Sequence, residues 1–191
     1  GPALSKPSVR AFWWPRFERI AVWFVRQERL RRQSIKQSLV EVHGRLEIEA
    51  PGGTFILSAM ADRIDRGVEN RYTVIDYKTG TVPTNSEVAL GFAPQLPLEA
   101  AIAMAGGFDG VEDGAKIDNL LYCRLSGGEP PGEVRIVGGD AMQMAAAALE
   151  GLRRLVAAYD DESTAYLSAP NPGRATRYND YLHLARAQEW S

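Results

Sequence analysis

Cysteine is almost missing from this sequence: Cys123 is the only one in 191 residues. An internal disulfide is therefore excluded, and so is an iron–sulfur or other all-cysteine cluster built within this chain. Long apolar runs are missing too. None approaches the ~18 residues of a membrane-spanning helix, and no secretory leader is expected ahead of the domain. An excess of positive charge is also absent. The 22 Lys and Arg against 24 Asp and Glu give a net charge of −2 and a pI of about 5.8. No global basic field recruits polyanions, so any nucleic-acid contact must come from a local patch. Internal repeats and low-complexity tracts do not occur. The lone thiol suits a reducing compartment, and the cytoplasm is the expected location.

What is present is a globular composition, 45% hydrophobic and 24% charged. At 21.0 kDa the chain is long enough for one domain with a sizeable core. The opening Gly1-Pro2 reads as a protease-cleavage scar, which leaves 3–191 as a single domain cut from something larger. Residues 16–33 carry Phe17, Ile20, Ala21 and Phe24 at helical spacing, with Pro15 suited to the helix start. Residues 38–50 alternate as a strand with Val40, Val42, Leu46 and Ile48 on one parity. The turn signal Pro51-Gly52-Gly53 leads to a second strand over 54–66, and a third follows over 71–77. Short connections make these three an antiparallel meander. A helix is expected over 95–105, with Pro97 tolerable only in its first turn. Strands at 116–125 and 133–137, a helix at 140–159 and a loop with a short terminal helix within 177–190 complete the chain.

The chemistry gathers in "TVIDYKTG", residues 73–80. Side chains alternate along a strand, so Asp76 and Lys78 share one face while Tyr77 points to the other. In the preceding strand Asp62 has the parity of Met60 and Ile64, and Asp65 that of Ala61 and Arg63. Only one of the two acids can face Asp76, and parity alone does not say which. Two carboxylates with a lysine one step beyond suit a hard divalent cation and an attacked phosphate. On its own, an Asp-x-Lys at a strand end reads as an exposed ion pair of little energetic worth.

The frame around that motif resembles the PD-(D/E)XK nuclease superfamily, a mixed α/β fold. Its core runs α-β-β-β-α-β, with a mostly antiparallel sheet flanked by helices. "ADRIDR" (61–66), "VIDYKTG" (74–80) and "PQLPLEA" (94–100) match, in order, the second, third and Gln-x-x-x-Tyr motifs of the RecB-type nuclease domain. Glu99 stands where that pattern usually has Tyr. The whole run, with "FWWPRF" near the start and "YLHLARAQEW" near the end, looks most like the C-terminal nuclease domain of AddB-type subunits.

The resemblance implies a Mg²⁺- or Mn²⁺-dependent, exonuclease-type deoxyribonuclease. It implies work on double-strand break ends, within a helicase–nuclease that includes an AddA-type partner subunit. Asp62 and Asp76 become metal ligands, joined by the Tyr77 backbone carbonyl. Lys78 becomes the catalytic lysine, Gln95 positions that lysine or the phosphate, and Asp65 pairs with Arg63 or Arg66. RecB-type domains carry a further metal-binding His in a Gly-x-x-x-His setting, which this sequence lacks. Glu41, in place of the family's helix-borne acid, or His43 would substitute. Arg26, Arg29, Arg32 and Lys36, and separately Arg153, Arg154, Arg174 and Arg177, form two basic groups that could track a DNA backbone. The first group reads rather as a solvated helix face with i,i+3 and i,i+4 pairs to Glu18 and Glu28. The tryptophans Trp13, Trp14, Trp23 and Trp190 suit a core or a docking surface. The rival reading of the whole is a non-catalytic DNA-binding or docking module that kept the fold.

Overall fold

A computed structural model describes residues 7–167 of the protein. The Gly1-Pro2 dipeptide, Arg174, Arg177, Trp190 and the expected terminal helix lie outside the described residues. Strands β1 (Gln37–Ala50) and β2 (Gly53–Arg66) form a long hairpin, paired from Ala50↔Gly53 to Gln37↔Arg66. Gly53 closes its turn at φ 121, a backbone conformation that glycine alone adopts without strain. After one 3₁₀ turn at Val68–Asn70, β3 (Arg71–Lys78) returns antiparallel to β2.

The next strand, β4 (Lys116–Leu125), lies parallel to β3. A parallel neighbour requires a crossover, and this one carries α2 (Asn85–Ala89) and α3 (Gln95–Met104). Strand β5 (Gly132–Ile136) closes the five-stranded sheet, antiparallel to β4, in the order β1-β2-β3-β4-β5. Helix α4 (Ala141–Tyr159), capped by the Asp140 side chain on Gln143 N, packs beside α3. The main core lies between these helices and the sheet, with Ile64, Val74, Leu96, Ile102, Leu120 and Tyr122 fully buried. Helix α1 (Pro7–Arg31) covers the opposite face, where Trp23 packs on Ile75, Leu121 and Cys123.

The mixed α/β fold with its mostly antiparallel sheet is the architecture expected from the sequence, with local differences. Helix α1 begins at Pro7, and Pro15 lies inside it instead of starting it. Pro7 occupies the first helical position, where a missing N–H is harmless. Pro15 leaves the carbonyl of exposed Ala11 to solvent. Helix α2 was not expected, although its Thr84–Glu87 capping box was there to be read. The inward face of the hairpin also changes parity midway. Leu39 and Val42 both pack on the core, as do Ile64 and Ala61 across from them. Glu41, at φ 50, marks the switch, and the regular pairing skips that position. Val40 is consequently 63% exposed and Met60 51% exposed, contrary to simple alternation.

A buried polar cluster ties α1 to three strands. Arg63 on β2 donates to Glu28 of α1 at 2.8 Å, to Asp65 at 2.6 Å, and to Ser38 of β1 and Tyr77 of β3, both at 3.3 Å. Ser38 completes the ring by donating to Asp65 at 2.7 Å. Burial alone would lower the Arg63 pKa, but the bonds to Asp65, Glu28 and Tyr77 outweigh it and raise the value. Burial pushes Glu28 up and the Arg63 guanidinium pulls it further down, leaving it below the ordinary range. Removing one partner of such a buried set leaves uncompensated charge, which typically costs about 3–5 kcal/mol. Arg63→Ala should therefore lose about that much stability in urea denaturation. A loss near zero would mean that α1 is held by its apolar contacts alone.

Candidate active site

The site forms where β3 runs out. Tyr72, Val74 and Asp76 point to the α3–α4 side of the sheet, and Ile75 and Tyr77 to the α1 side. The β2–β3 register, continued one step beyond Arg63↔Ile75, sets Asp62 opposite Asp76. Asp65 instead faces α1, tied to Arg63. Of the two acids on β2, Asp62 is therefore the one beside Asp76. Its Oδ2 accepts a hydrogen bond from the Tyr77 backbone N–H at 2.8 Å, so the two strand ends are stitched together by the acid itself.

Asp76 is 2% exposed, yet the groups around it reach solvent. Lys78 Nζ lies 3.0 Å from Asp76 Oδ1 and 2.9 Å from Oδ2. Gln95, the first residue of α3, joins both. Its Nε2 donates to Asp76 Oδ1 at 2.7 Å, and its Oε1 accepts from Lys78 Nζ at 3.1 Å. The same Nε2 donates to Glu99 Oε1, one helical turn further on, at 3.1 Å. Burial raises the pKa of Asp76, and the neighbouring Asp62 charge adds to the rise, while Lys78 and Gln95 pull it back. Glu99 is pushed up to about 7, first by burial and then by the charges of Asp76 and Asp62. Tyr122, paired with Asp76 across β4, is pushed up to about 12 by burial and by the negative charge of Asp76, Glu99 and Glu87.

The remaining candidates lie elsewhere. Glu41 and His43 are exposed on β1, a strand and not a helix, and His43 pairs with outward-facing Met60. Arg26, Arg29 and Arg32 belong to α1 and its C-terminal turn, across the sheet from Asp76. Lys36 is exposed in the turn before β1. Arg153 and Arg154 are exposed near the end of α4, and Arg154 lines a groove that runs past Gly91 and Pro94, just ahead of Gln95. The residue whose part in the site the sequence did not show is Glu99. Its signal was the i,i+4 spacing from Gln95, which sets both side chains on one helix face.

The donor chemistry fits a hard divalent ion. Asp76 Oδ2 is buried without a hydrogen bond of acceptable geometry, and Asp62 approaches from the adjacent strand. Among the described residues no three His, Cys, Asp or Glu side chains are grouped to hold a metal. A cation here would rest on two carboxylates, a backbone carbonyl and waters, the mixed shell that Mg²⁺ commonly keeps.

Residues 5–178 match the PD-(D/E)XK nuclease superfamily. A Rickettsia bellii protein described as uncharacterized is 28% identical over 184 residues, which is 90% of this chain and 22% of that protein. A Rickettsia felis protein, also described as uncharacterized, is 38% identical over 79 residues, 41% of this chain and 9% of its own length. The chain thus spans about a fifth, or less, of the length of these relatives. A crystal structure of SSO0001 overlaps with a TM-score of 0.37 at 15% identity, covering 60% of this chain and 50% of that one. No helix among the described residues is long and apolar enough to cross a membrane.

The buried acid gives a pH dependence of known sign. Between 4.5, its ordinary value, and about 7, native Glu99 keeps a proton that the unfolded chain has released. The Glu99 contribution to stability therefore falls as pH rises through that window and levels off above it. Glu99→Gln stays neutral throughout and should flatten the profile, by up to about 3 kcal/mol between pH 5 and pH 8. Urea denaturation at the two pH values measures this. An unchanged slope in Glu99→Gln would show that Glu99 does not titrate there.

Proposed function

The chain belongs to the PD-(D/E)XK nuclease superfamily, and we propose that it is a metal-dependent deoxyribonuclease domain that hydrolyses phosphodiester bonds. The observation that carries this reading is the junction of Asp76, Lys78 and Gln95 at the solvent-facing end of β3, with Asp62 alongside. An ion pair serving stability alone would not need a second acid beside it or an amide tying the lysine to α3.

Asp62, Asp76 and the Tyr77 carbonyl would hold Mg²⁺ or Mn²⁺. Bound there, the ion would supply Lewis-acid stabilisation of the phosphoryl oxygens and lower the pKa of a water. The chain's own groups do the rest. The Lys78 side chain is 31% exposed, so its ammonium can meet a phosphate or orient an attacking water while remaining anchored at Asp76. It offsets charge that develops on the phosphate oxygens. The Gln95 carbonyl limits how far the lysine can swing. Arg154, on the groove leading to Pro94, is better placed for the DNA backbone than the α1 arginines, which lie across the sheet.

The wider setting we propose is processing of double-strand break ends for recombinational repair, in a bacterial helicase–nuclease resembling the AddB type. Strands unwound by an AddA-type partner subunit would enter this site. That the chain spans only 22% of the Rickettsia bellii relative supports a role as one part of a larger machine. A second reading, a docking module without activity, is favoured by the exposed Phe12, Trp13, Trp14 and Phe17 on the first half of α1.

Two substitutions separate these readings. Lys78→Ala leaves both acids, so the rise in melting temperature with Mn²⁺ should persist while cleavage of a single-stranded oligonucleotide falls about 10²–10³-fold. Asp76→Ala should lose both the thermal shift and cleavage. Neither should much alter DNA affinity at fixed salt, which comes from cationic groups elsewhere. The measurements apply to the chain alone and to the full-length protein. Equal cleavage by native protein and Lys78→Ala would overturn the catalytic reading and leave the docking module.

A further inference from the structure

We propose that Glu99 is a positioning residue of this site, acting on Lys78 through the amide of Gln95. This rests on the nuclease reading above for its consequence, although the contact itself does not. Gln95 is exposed at the first turn of α3 and carries a long side chain that solvent would leave mobile. Its Nε2 has two hydrogens, and both are used, one on Asp76 Oδ1 and one on Glu99 Oε1. That leaves Oε1 facing the Lys78 ammonium. Turning the amide over would set its carbonyl against Asp76 and Glu99 and its NH₂ against a cation, so electrostatics selects a single orientation.

Glu99 supplies the inner anchor of this arrangement. It is 3% exposed, behind Gln95, and does not reach the surface where a DNA strand would lie. Its second oxygen, Oε2, is buried with no hydrogen-bond partner among the described residues. A buried carboxyl with one oxygen unpaired costs free energy, and an apolar side chain would fill the space more stably. What this carboxyl provides is a fixed acceptor one helical turn below Gln95. With Asp76 alone, the amide could pivot about one hydrogen bond. With two acceptors it is held in a plane, and the lysine that rests on its carbonyl is held with it.

The test uses Glu99→Met, which removes the acceptor at similar size, Glu99→Gln, which keeps one, Gln95→Met, and the double substitution Gln95→Met/Glu99→Met. On a single-stranded oligonucleotide with Mn²⁺, Glu99→Met should lower kcat about tenfold, in the range of a small misplacement of a reacting group. KM should stay within about twofold, and Glu99→Gln should restore most of kcat. The double substitution should be no worse than Gln95→Met, because both act through one contact. Additive losses, a change confined to KM, or a Glu99→Gln as poor as Glu99→Met would overturn the proposal. A second readout does not need activity. In ¹⁵N-resolved NMR of the 191-residue chain, the Gln95 side-chain NH₂ should exchange slowly in native protein and Glu99→Gln, and rapidly in Glu99→Met. If native protein does not cleave but that pattern holds, the nuclease reading falls while the anchoring stands. If the Gln95 amide is indifferent to Glu99→Met, the proposal falls whatever the activity. Glu99→Ala serves as the acceptor-free variant should Glu99→Met not fold.

Discussion

The antiparallel register between β2 and β3 is the constraint on which the site depends. Residues alternate across that pair, with Asp62 and Asp76 turned toward α3, and Arg63, Asp65 and Tyr77 toward α1. A slip by one residue would exchange the faces and set Arg63 or Ala61 where Asp62 belongs. The hydrophobic pattern resists that slip, since Ile64 and Val74 would leave the main core. The buried cluster around Arg63 resists it again, because Glu28, Ser38, Asp65 and Tyr77 meet that guanidinium only in one register. The two faces of the sheet thus divide the labour. One holds the alignment and the other uses it.

Burial of charge takes opposite forms on those faces. Behind the sheet, acids and arginine neutralise one another, and Glu28 stays ionised despite its burial. On the site face, Asp76 holds the lysine and shares the Gln95 amide with Glu99, and desolvation leads the rise in both pKa values. Such a surplus of poorly solvated negative charge destabilises the empty fold and favours whatever brings positive charge to it. A divalent cation does so at the acids, and the lysine does so in part already. The site is therefore poised electrostatically, at some cost to the stability of the chain alone.

The parity switch at Glu41 shows how a long hairpin can serve both ends. From Leu57 to Ala61 the inward residues of β2 are odd-numbered, and at Ile64 they are even. Asp62 sits between the two regimes, opposite the one position where the β1–β2 pairing lapses. At the switch it is half-buried and free to reach the Tyr77 amide.

Much of this was legible in residue order. Periodicity and turn signals located the five strands, α3 and α4 to within a few residues, because each such signal is local, but they missed the first turns of α1, which runs through Pro15. The Asp76–Lys78 pair followed from the two-residue period of a strand, and the motif set pointed to the family. Other features depend on partners far apart in sequence. Parity could not choose between Asp62 and Asp65, since that choice rests on cross-strand register and on the left-handed residue at position 41. Arg26, Arg29 and Arg32 could be read as a DNA-tracking group or as a solvated helix face, and only the packing of α1 on the other face of the sheet separates them from the acids. Glu99 read as a departure from a motif, and only the packing of α3 on β3 made it a neighbour of Asp76 through Gln95. Local chemistry therefore determined which side chains could act. The burial of one helix against one strand end decided which of them meet, because desolvation and hydrogen-bond geometry exist only once those elements are packed.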